Sequence, residues 1–219
     1  IFGGMGFSED TPMEAAWRDA RIARIYEGTN EINRMICIGM LIKKAMKGHV
    51  DLLGPAMKVQ EELIGIPSFD TPDYSAPLSQ EKAILKNLKK IFLMVAGAGI
   101  QKFGPKIEEH QQLMLHASDI LIEIYMAESA ILRTEKNIGR YGQESQKHQI
   151  EMSQLYMYNA VEIVTKSAKS GIISFAEGDE QRMMLMGLKR FTKYTNYPNI
   201  AALRNSIAAK VNKENTYCF

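Results

Sequence analysis

The apolar residues of this chain recur at helical spacing almost from end to end, and no useful length alternates with the two-residue period of a strand. Such a pattern can bury its apolar faces only by packing helix on helix. It predicts an all-α helical bundle. No internal repeat of fixed period is present. The first ten residues read as a loop rich in glycine, with Gly3, Gly4 and Gly6. Thr11-Pro12-Met13-Glu14 then reads as a helix start, in which Thr11 caps, Pro12 takes the first helical position and Glu14 completes a capping box. Met13, Ala16, Trp17, Ala20 and Ala23 share one apolar face, and the pattern breaks at Tyr26-Glu27-Gly28-Thr29.

A second helix over 30–47 is apolar almost all round (Ile32, Met35, Ile36, Ile38, Met40, Leu41, Ile42), which predicts a place inside the bundle. Lys43, Lys44 and Lys47 suit its C-terminal dipole, and Gly48 stops it. A shorter helix covers 55–64. Residues 65–77 hold three prolines and no periodicity. The predicted division is therefore 1–64, a linker at 65–78, and a helical extension at 79–219. In the extension, Ile84, Leu88, Ile91, Phe92, Val95 and Ala98 form one face of a helix ended by Gly104-Pro105. Leu113, Ala117, Ile120, Leu121, Ile124, Ala127 and Ile131 mark the next, which ends near Gly139. Met157, Val161, Val164 and Ala168 mark a third, ending at Gly171. Two more cover 179–193 and 198–213.

Composition excludes some classes. With 219 residues, 46% hydrophobic and 24% charged, the chain can bury a sizeable core without disulfide staples. A net charge of +2 lacks the basic excess of a dedicated nucleic-acid binder. No apolar run reaches the roughly 18 residues of a membrane span. Cys37 and Cys218 have no metal-ligand spacing and imply a reducing interior, with Cys37 expected as a small core residue. The chain begins with Ile1 and carries no visible signal peptide, so it reads as a piece of a longer, non-secreted protein.

The segment that carries chemistry is Ile25-Tyr26-Glu27-Gly28-Thr29-Asn30-Glu31, a break between two apolar helices. It sets a carboxylate beside a glycine that lets a ligand approach the backbone, ahead of a helix start with free N–H groups. Taken alone, Glu27 reads equally well as a surface loop residue. Three words occur in order: Ile1-Phe2-Gly3-Gly4-Met5-Gly6-Phe7, Arg18-Asp19-Ala20-Arg21, and Ile25-Tyr26-Glu27-Gly28-Thr29-Asn30-Glu31-Ile32. Together they resemble the acyl-CoA dehydrogenase family. The resemblance implies that Glu27 is the catalytic base, removing the α-proton of an acyl-CoA thioester while the β-hydrogen leaves as hydride to FAD, giving a trans-2-enoyl-CoA. It implies that the Glu27 N–H helps to hold the thioester carbonyl and that Gly28 lines the substrate site. Thr29, Asn30, Glu31, Gly3 and Gly4 match positions that contact FAD. Such chemistry needs preorganised donors for the developing enolate and reactants fixed in line.

Asn30-Glu31 is similar to the pair found in the very-long-chain branch, and a helical extension like the one after residue 50 also occurs there. The likeness implies a homodimer handling long-chain acyl-CoA in fatty-acid β-oxidation, passing electrons to electron-transfer flavoprotein, with peripheral membrane contact. The expected compartment is bacterial cytoplasm or mitochondrial matrix. The expected fragment is inactive alone and retains no FAD.

The extension shows no chemistry of its own. His110 and His116 share a predicted helix with Glu108, Glu109, Asp119 and Glu123, but no Glu-x-x-His pair is present, so no metal is expected. Met183, Met184 and Met186 read as core filler. Arg182, Lys189, Arg190 and Lys193 form a modest basic face, read first as solvated surface and second as membrane contact. Arg18, Arg21 and Arg24 read as helix-surface ion pairing. The alternative to an enzyme is a docking, oligomerisation or membrane-surface module.

Overall fold

The computed structural model describes residues 2–65, 73–216 and 218. Among them every regular element is helical. A 3-10 turn at Gly3–Gly6 leads into α1 (Pro12–Ile22), α2 (Asn30–Met46) and α3 (Leu53–Ile64). There follow α4 (Ser79–Phe103), a 3-10 turn at Gly104–Glu109, α5 (Gln111–Tyr141), α6 (Lys147–Phe175), α7 (Gly178–Phe191) and α8 (Ile200–Glu214). Part of the expected linker, 66–72, lies outside the described residues.

The core lies among α4, α5 and α6, and the expected stripes fill it. Leu88, Ile91 and Val95 of α4 are fully buried, spaced three and four apart along one face. Ile120 of α5 and Met157, Ala160, Val164, Ala168 and Ile172 of α6 meet them with no exposed surface. Burial of each large side chain contributes about 1.5–3 kcal/mol. α7 adds Met184, Leu188 and Phe191 to the same cluster. α8 lies on α6 and buries no residue of its own; Ser206 donates to Glu151 across that contact at 2.8 Å.

Polar ties set the register of these long helices. The hydroxyls of Thr134 and Ser153 meet at 2.9 Å, buried between α5 and α6. The Gln80 side-chain amide donates to the Asn196 carbonyl and accepts its N–H, both at 2.8 Å. One side chain at the start of α4 thereby pairs with the α7–α8 connection as a strand edge would.

Five expectations are corrected. The third helix of the extension does not end at Gly171 but runs through it to Phe175. Gly171 is a packing glycine: a Cβ there would meet Val95 at 3.3 Å, Leu113 at 3.5 Å and His116 at 3.7 Å, where three helices converge. The capping box at Thr11 does not form, since the Thr11 hydroxyl donates to the Met5 carbonyl at 2.8 Å and Glu14 pairs with Arg18 at 2.7 Å. α2 is not enclosed, because only Ile38 is buried; Ile32, Ile36 and Met40 are exposed. Cys37 is exposed as well, not a core residue. Among the methionines, Met184 is core but Met186 is exposed.

Candidate functional site

The Glu27 turn is held from both sides. Behind it, the last turn of α1 unwinds through Ile25 N–H to Ile22 carbonyl at 2.9 Å. Ahead of it, Thr29 is the N-cap of α2, and its hydroxyl accepts the Ile32 N–H at 3.2 Å. The Asn30 N–H reaches back across the turn to the Arg24 carbonyl at 3.2 Å. Between these anchors two consecutive residues adopt positive φ, Glu27 at 55° and Gly28 at 90°. Glycine takes such a conformation freely, whereas a residue with a Cβ stores about 1–2 kcal/mol there. Strain of this kind on a charged residue is a mark of a functional turn.

Asn33 completes the turn. Its side-chain amide donates to the Gly28 carbonyl at 3.0 Å. A Cβ at residue 28 would lie 2.8 Å from the Asn33 side-chain oxygen, so the glycine is required by space as well as by φ. Asn33 escaped the sequence reading. A polar residue one helical turn beyond the cap of a turn containing glycine was the available signal.

Glu27, Gly28, Asn30 and Glu31 are exposed and Thr29 is half-buried, so the turn presents its carboxylates outward. Glu31 sits in the first turn of α2. A hydrogen bond from its own backbone N–H holds its carboxyl below the ordinary range, helped by the Thr29 hydroxyl and by Arg34 and Arg24. Gly3 and Gly4 do not join this cluster. They belong to the 3-10 turn at the opposite end of α1, whose 11 residues span about 16 Å. Open space surrounds both glycines. Arg18 is occupied with Glu14.

α2 carries the turn and is itself moored to α5. Ile38 is buried, Leu41 and Ile42 pack half-buried on the core, and a Cβ at Gly39 would stand 3.9 Å from the Met114 methyl. At the turn end of this contact Arg34 Nε stands 3.1 Å from Asp119 Oδ1, an ion pair whose alignment falls short of a hydrogen bond. His116 stands in the same neighbourhood. Burial lowers its pKa and outweighs Asp119, which raises it, while Arg34 lowers it further. No local pattern could pair Arg34 with Asp119. His110 caps the start of α5 and stacks on Phe103 with ring centroids 3.5 Å apart, while Glu108 and Glu109 fall in the preceding 3-10 turn. Among the described residues no group of three His, Cys, Asp or Glu side chains could hold a metal.

The chain joins a strained carboxylate turn between two helices to a bundle of long helices, and its matches fall in one class, the all-α C-terminal domains of acyl-CoA dehydrogenases. Residues 1–41 and 87–190 both match the family described as acyl-CoA dehydrogenase, C-terminal domain, and the chain belongs to that family. It is 39% identical over 217 residues to a probable acyl-CoA dehydrogenase of Bacillus subtilis (strain 168), covering 99% of this chain and 36% of that protein. It is 54% identical over 43 residues to the mitochondrial short-chain specific acyl-CoA dehydrogenase of Bos taurus, covering 20% of this chain and 10% of that one. Its fold matches a crystal structure of acyl-CoA dehydrogenase complexed with FAD from Bacillus anthracis. That match has a TM-score of 0.93 at 39% identity, and covers 99% of this chain and 36% of the other. The chain thus spans about a third of the length of the relatives that match it throughout.

Proposed function

We propose that the protein carrying this chain is an FAD-dependent acyl-CoA dehydrogenase, converting acyl-CoA to trans-2-enoyl-CoA, with Glu27 as its base. The observation that carries the reading is the Glu27 turn, a carboxylate held at φ 55° between a glycine at φ 90° and a capped helix.

What this chain offers fits a flavin dinucleotide. The backbone at Gly3 and Gly4 is open to close approach, and Asn30 and Glu31 expose hydrogen-bonding groups for sugar hydroxyls. Thr29 is committed to its cap and would meet the cofactor through its remaining valences. Bound flavin would supply the acceptor for the β-hydride. Glu27 takes the α-proton, and its N–H steadies the thioester oxygen as negative charge develops there. Gly28 leaves room for the thioester. The exposed apolar side chains Trp17 of α1, Tyr26 of the turn and Ile36 of α2 are where the rest of the protein would close over the turn and exclude water.

Long-chain substrate, placement in the very-long-chain branch and a homodimer rest on the Asn30-Glu31 pair and the helical extension, and the division at 65–78 rests on the prolines and lost periodicity of that stretch. Electron-transfer flavoprotein as acceptor, and a bacterial cytoplasmic or matrix location, follow from the family likeness. Peripheral membrane contact has less support: Arg190 is tied to Glu62, at 3.2 Å from its carbonyl and 3.6 Å from its carboxylate, and Arg182 lies 3.3 Å from Asp179. Among the described helices none is long and apolar enough to cross a membrane.

The test is anaerobic flavin reduction by acyl-CoA thioesters of graded length in the full-length protein and in Glu27→Gln. Reduction that is lost in the variant with FAD retained is the expected result. Equal reduction in both moves the base elsewhere, and no reduction at any length returns the docking-module reading. The 219-residue chain alone is expected to retain no FAD; stoichiometric flavin in it overturns that expectation.

A further inference from the structure

Away from the Glu27 turn, the fold buries one carboxylate without a counter-charge. Glu81 lies in the first turn of α4 and is 4% exposed. None of the ion pairs among the described residues includes it. Burial pushes its carboxyl above the ordinary value and outweighs the opposing hydrogen bond from its own backbone N–H.

Glu81 lines a cavity of ≈ 480 Å³ between residues 74–81, α6 and the α7–α8 connection. That size lies within the range of small-molecule sites, about 300–1,000 Å³. Glu81 is the only charged residue among those lining it; Tyr74, Tyr197, Gln143, Gln154 and Asn199 supply rings and neutral polar groups. The wall is built rather than incidental, because the double Gln80–Asn196 hydrogen bond fixes one side of the cavity to the other. Behind Tyr197, at 5.2 Å between ring centroids, stands Tyr194, whose buried hydroxyl has no hydrogen-bond partner. Its phenol is pushed up first by burial, then by Glu81 and its tyrosine neighbours.

A buried carboxylate, a tyrosine ring and neutral acceptors, in a cavity where the described lining residues include no cation, suit a cationic organic ligand. We infer that this cavity binds a small organic ammonium ion, with the Glu81 carboxylate as counter-charge and the Tyr197 ring as apolar wall. A bare metal ion fits less well, since the described residues offer it no cluster of ligating side chains.

The test titrates the full-length protein with propylammonium and tetramethylammonium by calorimetry or ligand-observed NMR at constant ionic strength, with 1-propanol as the uncharged control. Saturable binding of an ammonium ion and none of propanol is expected. Glu81→Gln keeps the shape and is expected to weaken binding at least tenfold. Asp179→Asn, a charge on the open surface of α7, is expected to change nothing. Tyr197 is exposed, so Tyr197→Ala leaves the fold intact and is expected to weaken tetramethylammonium more than propylammonium. Absence of saturable binding, undiminished binding in Glu81→Gln, or equal competition by sodium chloride overturns the inference.

Discussion

Gly28→Ala separates what the Glu27 turn needs from what its residues merely are. The glycine sits at φ 90°, so an alanine there meets strain of about 1–2 kcal/mol. The new Cβ would also stand 2.8 Å from the Asn33 side-chain oxygen. Asn33 must then swing away and release the 3.0 Å bond to the Gly28 carbonyl, at about 1 kcal/mol. Together the turn loses about 2–3 kcal/mol, a factor of roughly 30–150 in its closed population. Hydrogen exchange at the Asn30 and Asn33 amides, bonded to the Arg24 and Thr29 carbonyls, reads this loss locally. In an Asn33→Ala background the clash and the bond are already gone. Gly28→Ala should then cost only its strain, leaving a coupling of about 1 kcal/mol between the two substitutions. Strict additivity, or unaltered exchange in Gly28→Ala, refutes the reasoning. Flavin reduction in the full-length protein should fall in parallel, because proton transfer depends on the placement of Glu27.

His116 has a folded pKa lowered by burial, so the unfolded chain binds its proton first. Stability is therefore complete above about pH 6.5 and falls as pH drops through that value; thermal melts from pH 8 to 5 should slope less in His116→Gln, and equal slopes refute the sign. Thr134→Val leaves the buried Ser153 hydroxyl unpaired and should cost about 1–3 kcal/mol, read as a lower Tm. Adding Ser153→Ala should recover most of that loss, and a deeper loss in the double variant would count against the pair.

The bundle was legible where apolar residues meet partners within the chain. Leu88, Ile91 and Val95 follow the helical period and are fully buried together. The failures share a cause, since periodicity records which side chains avoid water but not what covers them. α2 carries Ile32, Ile36, Cys37 and Met40 on faces that the described residues leave exposed. Gly171 has the same logic in reverse, a residue read as a stop whose missing side chain admits Val95. At the site, the contiguous residues Glu27 to Glu31 were legible as a motif. The Asn33 bond and the Arg34–Asp119 mooring were not, because geometry alone brings those groups together.

The exposed residues also divide by helix. α4 leaves no large apolar side chain exposed, α5 and α6 fill the core while leaving residues such as Leu132 and Ile173 exposed, and α1 buries nothing and leaves Trp17 63% exposed. α1 is too short to persist on propensity alone in water. Its stability must come from a surface laid over Trp17, Ile22 and Tyr26, immediately before the strained Glu27. Closing that surface would order α1, dry the turn and set the carboxylate in one step. A substitution such as Trp17→Ala should therefore weaken substrate-dependent flavin reduction while leaving the α4–α6 core at its original stability. A variant that loses both equally would place Trp17 in the fold of the bundle instead.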